Sequence, residues 1–358
     1  HEFVRAERRR FAVFCLVGGW LFVFVLGRFA QTPSLGAAVD EAGGIWVLGV
    51  LLGLRAAVSA GDWLRTAAWI AALAVFPVWI LVLAGFTSYG SEAAIVALAA
   101  LAISARRYWR AIASIVLITV VGLTFFVNYF EHRKDIRHEA WGGASMENRA
   151  DAVLGIFDTF HPIDFGSEQD MLALDKRLNQ NLFVGLAAAR IGEGEVGYLN
   201  GRSVWDGVLE LIPRAYWPDK PVVAGSGHLV IDMTGLHLDE NTSWGVGNVM
   251  EFYINFGMPG VIVGFLLLGW VLGALDIHAA AAERRGDFRR AIVLFLPAVG
   301  LIQPNGSVVE MTGAAAAAFV AAVGWQWLWD IWQVRGRARL GPASPGLRRS
   351  PPPSELSP

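Results

Sequence analysis

Two stretches carry the residue types from which a reaction could be built. The first is Ile212-Pro213-Arg214-Ala215-Tyr216-Trp217-Pro218-Asp219-Lys220-Pro221. Each proline fixes φ and lowers the entropy of the free segment, so the cations between them sit on a stiffened backbone. That is a suitable way to offer guanidinium and ammonium groups to a phosphate, which arginine grips through two parallel bonds. The same residues also read as a structural turn. The second stretch is Gly245-Val246-Gly247-Asn248-Val249-Met250-Glu251-Phe252-Tyr253-Ile254-Asn255-Phe256-Gly257-Met258-Pro259-Gly260. Here one carboxylate, Glu251, lies among aromatics where the chain enters an apolar run. A partly desolvated carboxylate suits general-base work. The competing role is an ion pair with an arginine of the preceding segment.

The elements that must position these groups are apolar. The chain has 358 residues, of which 55% are hydrophobic and 17% charged, against about 25% charged in an average soluble domain. With a mean hydropathy of +0.47, lipid is the natural solvent for that surface. A net charge of −2 gives no sign of a nucleic-acid partner, and one cysteine, Cys15, allows no disulfide framework.

Runs long enough to cross a bilayer, roughly 20 residues, occur at about 11–30, 43–60, 66–86, 90–105, 111–130, 257–277, 291–303 and 312–334. The run at 291–303 is short and contains Pro297. Basic residues cluster at Arg5 to Arg10, Arg106 to Arg110, Arg284 to Arg290 and from Arg335 onward, whereas 31–43, 87–91 and 304–311 hold no lysine or arginine. Eight spans put every basic segment on the cytoplasmic side.

The expected fold is therefore an all-α integral membrane protein with about eight transmembrane helices. A large, partly helical external loop separates spans five and six. Its parts are a five-span membrane domain at 1–130, the loop at 131–247, a three-span membrane domain at 248–334 and a disordered cytoplasmic tail at 335–358. Starting at His1, the first part is expected to lack earlier residues. Within the loop, Met171, Leu174, Leu178, Leu182 and Leu186 predict a helix over 170–190, and Val204, Trp205, Val208, Leu209 and Ile212 a second over 203–212. These helices either lie on the membrane surface or pack on one another. Trp325, Trp327, Trp329 and Trp332 read as an interfacial aromatic belt.

The stretches Leu-Ile-Pro-Arg-x-x-Trp-Pro-x-Lys-Pro at 211–221 and Glu-x-Tyr-x-Asn-Phe-Gly at 251–257 resemble the bacterial O-antigen polymerase (Wzy-type) family, the oligosaccharide repeat-unit polymerases. The resemblance covers about a third of the chain. The Arg-x10-Gly spacing described for that family is met by Arg190 with Gly201 and by Arg214 with Gly225, both within the one loop. The resemblance implies a polyprenol-dependent glycosyltransferase of the bacterial inner membrane. Such an enzyme moves a growing glycan from undecaprenyl pyrophosphate onto a new lipid-linked repeat unit at the outer face. Its partners would be that donor and acceptor, membrane lipid and a chain-length regulator protein.

On this reading Arg214, Lys220, Arg190 and Arg177 absorb the charge of the leaving pyrophosphate. Trp217, Tyr253 and Asn255 join the substrate-binding set. Glu251 is the first candidate for the base, with His228 and Asp232 behind it. No cluster has recognisable metal-ligand spacing, so the expected mechanism uses neither metal nor cofactor. Two alternatives stand beside it: an O-antigen ligase-type transferase, and a non-enzymatic flippase or exporter, against which sparse intramembrane charge counts.

Overall fold

A computed structural model describes residues 2–21, 43–85, 98, 108–179, 181–212, 217, 219–220, 226–236, 245–303 and 305–339. Among these residues the secondary structure is helical throughout, with no strand. In chain order the helices are α1 (Glu2–Leu21), α2 (Gly43–Ala60), α3 (Trp63–Ala84), α4 (Tyr108–Trp141), α5 (Met146–Leu154), α6 (Glu168–Leu178), α7 (Asn181–Gly192), α8 (Arg202–Glu210), α9 (Ser226–Thr234), α10 (Asn248–Arg285), α11 (Phe288–Gly300) and α12 (Val308–Arg339). A single 3₁₀ turn, Gly155–Phe157, follows α5.

Four helical stretches are long and apolar enough to cross a membrane: Gly43–Ala60, Ile112–Trp141, Asn248–Arg285 and Val308–Gln333. The expectation of eight spans is corrected to these four among the described residues. The 291–303 run forms α11, only 13 residues long. At 1.5 Å per residue it reaches about 20 Å, short of a hydrocarbon core of about 30 Å. Helix α3, Trp63–Ala84, takes up most of the 66–86 run, and the 90–105 run lies outside the described residues, apart from residue 98. The 11–30 run is helical as far as Leu21.

One core joins α1, α2, α11 and α12 through Phe11, Cys15, Ile45, Ile292, Leu296 and Trp325. The rings of Phe11, Phe14, Trp325, Trp329 and Trp332 stack there at 4.7–5.6 Å between centroids. Trp325 and Trp329 are buried, while Trp327 and Trp332 stay exposed. Half of the expected aromatic belt is thus packing. Polar contacts at one end of this bundle gather the basic segments. Glu283 bonds Arg55 at 2.7 Å and meets Arg8 at 3.3 Å, Arg289 pairs with Asp330, and Gln333 donates to Glu7 at 3.1 Å.

Helix α4 runs 34 residues, about 50 Å, and so carries the first residues of the expected loop as a rigid extension. The segment 159–170 is laced to it. Asn128 exchanges bonds with the backbone of His161 (3.0 and 2.8 Å), and Thr124 accepts from the Ile163 amide at 3.2 Å. The single helix expected over 170–190 is two helices. Asn179 ends α6, its side chain bonding Asp175 at 2.7 Å and accepting from the Asn181 amide at 3.0 Å. The leucine spacing stays nearly in phase across that break, which is why periodicity alone reads straight through it. The helix expected over 203–212 appears as α8.

The feature that matters most for the site is a kink in α10. Gly257 has φ +67° and ψ −158°, a region essentially reserved for glycine, and Pro259 lacks the amide that would continue the ladder. The amide of Leu199 bonds the Ile254 carbonyl at 2.9 Å, next to this break. Before the kink, residues Met250 and Ile254 pack on Phe183, Ala187, Val230 and Met233 of α7 and α9. After it, Ile262, Val263, Leu266, Leu267 and Trp270 are exposed, as a lipid-facing surface requires. One helix thus anchors the extramembrane layer with its first turns and presents an apolar wall with the rest.

Candidate functional site

Asn248, Glu251 and Asn255 sit at i, i+3 and i+7 of α10, which places them on one helical face. All three are enclosed, at 5%, 0% and 1% exposure. Each is hydrogen-bonded and leaves one acceptor over. Asn248 donates to the Gln303 carbonyl at 3.3 Å. Asn255 donates to Ser203 Oγ and to the Glu251 carbonyl, both at 2.7 Å. The Oε2 of Glu251 accepts from the Val308 amide at 2.6 Å. Asn248 Oδ1, Glu251 Oε1 and Asn255 Oδ1 have no partner among the described residues. Ser203 stands close by, yet outside hydrogen-bonding geometry to Oε1. Buried acceptors without donors cost roughly 1–3 kcal/mol each, so this face is one that packing alone does not satisfy.

The face is held by the N-terminus of α12. Ser307, Val308, Val309 and Glu310 form a capping box: Ser307 Oγ accepts from the Glu310 amide at 3.1 Å, and Glu310 Oε2 from the Ser307 amide at 2.9 Å. That leaves the Val308 amide free for Glu251, and a carboxylate is favoured at a helix N-terminus. Glu310 also accepts from the Ser226 hydroxyl at 2.7 Å, tying in α9. Thr312 donates to the Gly207 carbonyl at 2.6 Å, tying in α8. Glu251 forms no ion pair with an arginine among the described residues; its anchor is a backbone amide.

The other expected site residues divide by what holds them. Arg190 donates to Glu195 at 2.8 Å and to the Asp232 carbonyl at 3.1 Å, which clips α7 to α9. Lys220 is 4% exposed and bonds Glu210 at 2.8 Å and the Ile212 carbonyl at 3.2 Å, closing the turn after α8. Both cations are engaged inside the protein. Arg214 lies outside the described residues, and Arg177 is placed on α6 by its backbone only. His228 and Asp232 share a face of α9 and are exposed. Trp217 is exposed, and Tyr253 is half-buried with its ring 6.4 Å from that of Tyr198. Gly201 has φ +88°, and a Cβ there would stand 2.8 Å from the Phe256 ring. In the Arg190–Gly201 pair, then, the glycine makes room for the residue that precedes the kink.

Sequence reasoning missed Asn248, Ser203 and the capping box. The last was legible, since Ser-x-x-Glu at 307–310 opens an apolar run. Asn248 was legible too, by its helical spacing from Glu251. Around Glu251 the described residues offer no set of metal ligands. A grouping of such side chains occurs on other elements, α4 and the segment leading into α6.

A chain whose described residues are helical throughout, with four helices among them suited to a bilayer, is, as a class, a helical membrane protein. Residues 44–287 match the family described as a domain of unknown function, DUF8712, and the chain belongs to that family. The match runs from α2 to the end of α10 and so takes in the Glu251 face. No curated protein and no solved structure matches the chain.

Proposed function

We propose that this protein is a polyprenol-dependent glycosyltransferase that polymerises lipid-linked oligosaccharide repeat units at the outer face of a bacterial inner membrane. What supports the reading most is the face of three partnerless acceptors, Asn248 Oδ1, Glu251 Oε1 and Asn255 Oδ1. Sugar hydroxyls are dense donors, and a carboxylate among amides is the arrangement that orients one hydroxyl while taking its proton. In the reaction an acceptor hydroxyl oxygen forms a bond to the anomeric carbon of the donor glycan. The bond from that carbon to the polyprenyl pyrophosphate oxygen breaks. The hydroxyl proton passes to Glu251 Oε1, and Oε2 stays anchored on the Val308 amide. The leaving pyrophosphate carries its electron pair away and is met by Arg214, as the resemblance implies.

On this reading the layer formed by α5 to α9 faces outward and the basic end around Glu283 faces the cytoplasm, the side on which arginine accumulates in membrane proteins. A reporter active only outside the cytoplasm works when fused at Gly166 or Gly201 and fails at Gly286 or after Arg339. The test of function is complementation of a strain lacking its own polymerase, with surface glycan resolved on a gel. A ladder of lengths supports the polymerase. Single capped units alone assign the protein to a ligase-type or transport role and overturn the proposal. Arg214→Lys keeps the charge but loses the fork, so it should abolish most of the ladder at normal membrane accumulation.

A further inference from the structure

Away from the Glu251 face, the carboxylate of Asp170 is buried at 2% exposure with no lysine or arginine beside it among the described contacts. Its Oδ2 accepts from the Asp164 amide at 2.9 Å. Its Oδ1 has only long approaches, 3.5 Å from Ser167 Oγ and 3.5 Å from His161 Nε2. The other ring nitrogen, His161 Nδ1, lies 3.2 Å from the Thr159 carbonyl. A carbonyl can only accept, so Nδ1 carries the hydrogen, and Nε2 faces a carboxylate oxygen. With the ring neutral, two acceptors face each other, and a proton or a metal ion belongs between them. Glu131, in the second half of α4, brings a third donor atom, and the three ligand atoms lie within 4.8 Å of one another. One Glu131 oxygen is oriented by Gln169 Nε2 at 2.7 Å.

We propose that Glu131, His161 and Asp170 form a binding site for one divalent transition-metal ion of the Zn²⁺ or Mn²⁺ class. One imidazole and two carboxylates are the donor set such ions take, and a three-ligand site leaves positions for water. The 3.5 Å between Asp170 Oδ1 and His161 Nε2 is close to the ~3.4 Å edge of a tetrahedron with bonds of about 2.1 Å. Glu131 is exposed, so a rotamer change brings it in. The outer contacts fit as well: a ligating histidine ordinarily gives its second N–H to a carbonyl, as His161 does to Thr159. Thr159 is itself held by His132 Nε2 at 3.2 Å. The same geometry favours protonated His161, chiefly through the Thr159 carbonyl and then Asp170, so a proton competes with the metal for one position. A bound ion would bolt the segment 159–170 to α4 and fix how the extramembrane layer sits on that helix.

The experiment uses the full chain, purified by a tag other than polyhistidine, stripped with chelator and held in nanodiscs. ZnCl₂ or MnCl₂ alone is titrated at pH 7.5 by calorimetry. One saturable equivalent is expected, weakening at pH 5.5 because the ligands must be deprotonated. His161→Gln and Glu131→Gln should each lower affinity at least about tenfold while leaving the metal-free melting curve in place, since both side chains reach solvent. Absence of saturable binding to the wild-type chain overturns the proposal, because a proton then fills the gap. Binding unchanged in both variants overturns it equally, because the ion then sits elsewhere.

Discussion

The two ends of α10 each enclose a glutamate and treat it in opposite ways. Glu283, in the last turns, is met by two guanidinium groups, Arg55 at 2.7 Å and Arg8 at 3.3 Å. Glu251, in the first turn, meets no cation among the described residues and is anchored on one amide, while each of the two carboxylates has one oxygen without a hydrogen bond. The first arrangement neutralises charge where three segments of chain converge, and joins them. The second leaves chemical capacity unspent inside a packed layer, which stability alone would not select. Burial by itself therefore says little about a carboxylate, and the inventory of its partners says much.

That contrast can be broken most sharply by charge-neutral replacements at both ends. Glu251→Gln keeps size and anchoring but removes basicity. Ladder formation per membrane-inserted molecule should fall by about 10²–10⁴-fold, equivalent to about 3–5 kcal/mol in the barrier. Asp232→Asn and His228→Gln, on the exposed face of α9, should retain most activity. Near-normal specific activity in Glu251→Gln, with one of the other two dead, would move the base to that residue. Glu283→Gln should do the reverse, leaving specific activity intact and costing about 1–3 kcal/mol of stability, because its arginines are only partly buried. Thermal melting in nanodiscs reads that loss.

Two smaller changes sharpen the comparison by moving the anchor instead of the carboxylate. Gly257→Ala forces a Cβ onto a backbone with φ +67° and should cost roughly 1–3 kcal/mol. Activity should fall with it, since the turns carrying Glu251 then change direction. Ser307→Ala removes one arm of the capping box and should cost about 1 kcal/mol. Its effect on activity should exceed its effect on melting, because the Val308 amide that orients Glu251 belongs to that first turn. Equal losses in both would make the box a plain helix cap.

The sequence revealed most where one local rule was enough. The apolar second half of α10 follows from hydropathy over 257–277, and its break is announced by Gly257 and Pro259. It revealed less where the outcome depends on how a turn or a connecting segment folds back. Charge counting marks Arg190 and Lys220 as available cations, and only the fold exposes Glu195 and Glu210 beside them. No spacing rule joins Glu131, His161 and Asp170, because one comes from a helix, one from a connecting segment and one from the next helix. The span count failed in a different manner. Charge symmetry leads a 13-residue apolar run to be counted as a span, and α11 is likewise only 13 residues long.

The kink at Gly257 also fixes an altitude. Glu251 stands six residues before it, about 9 Å along the axis at 1.5 Å per residue. Apart from Val249, the exposed large apolar side chains of α10 begin at Phe256 and Met258. A headgroup layer is some 5–8 Å deep on each side of a bilayer. On the proposed orientation, the carboxylate therefore rides at the level where the phosphates of a lipid carrier float. That height is set by a helical rise, not by the pose of a loop, so a substrate anchored in the same leaflet arrives already level with it. Diffusion then searches two dimensions instead of three.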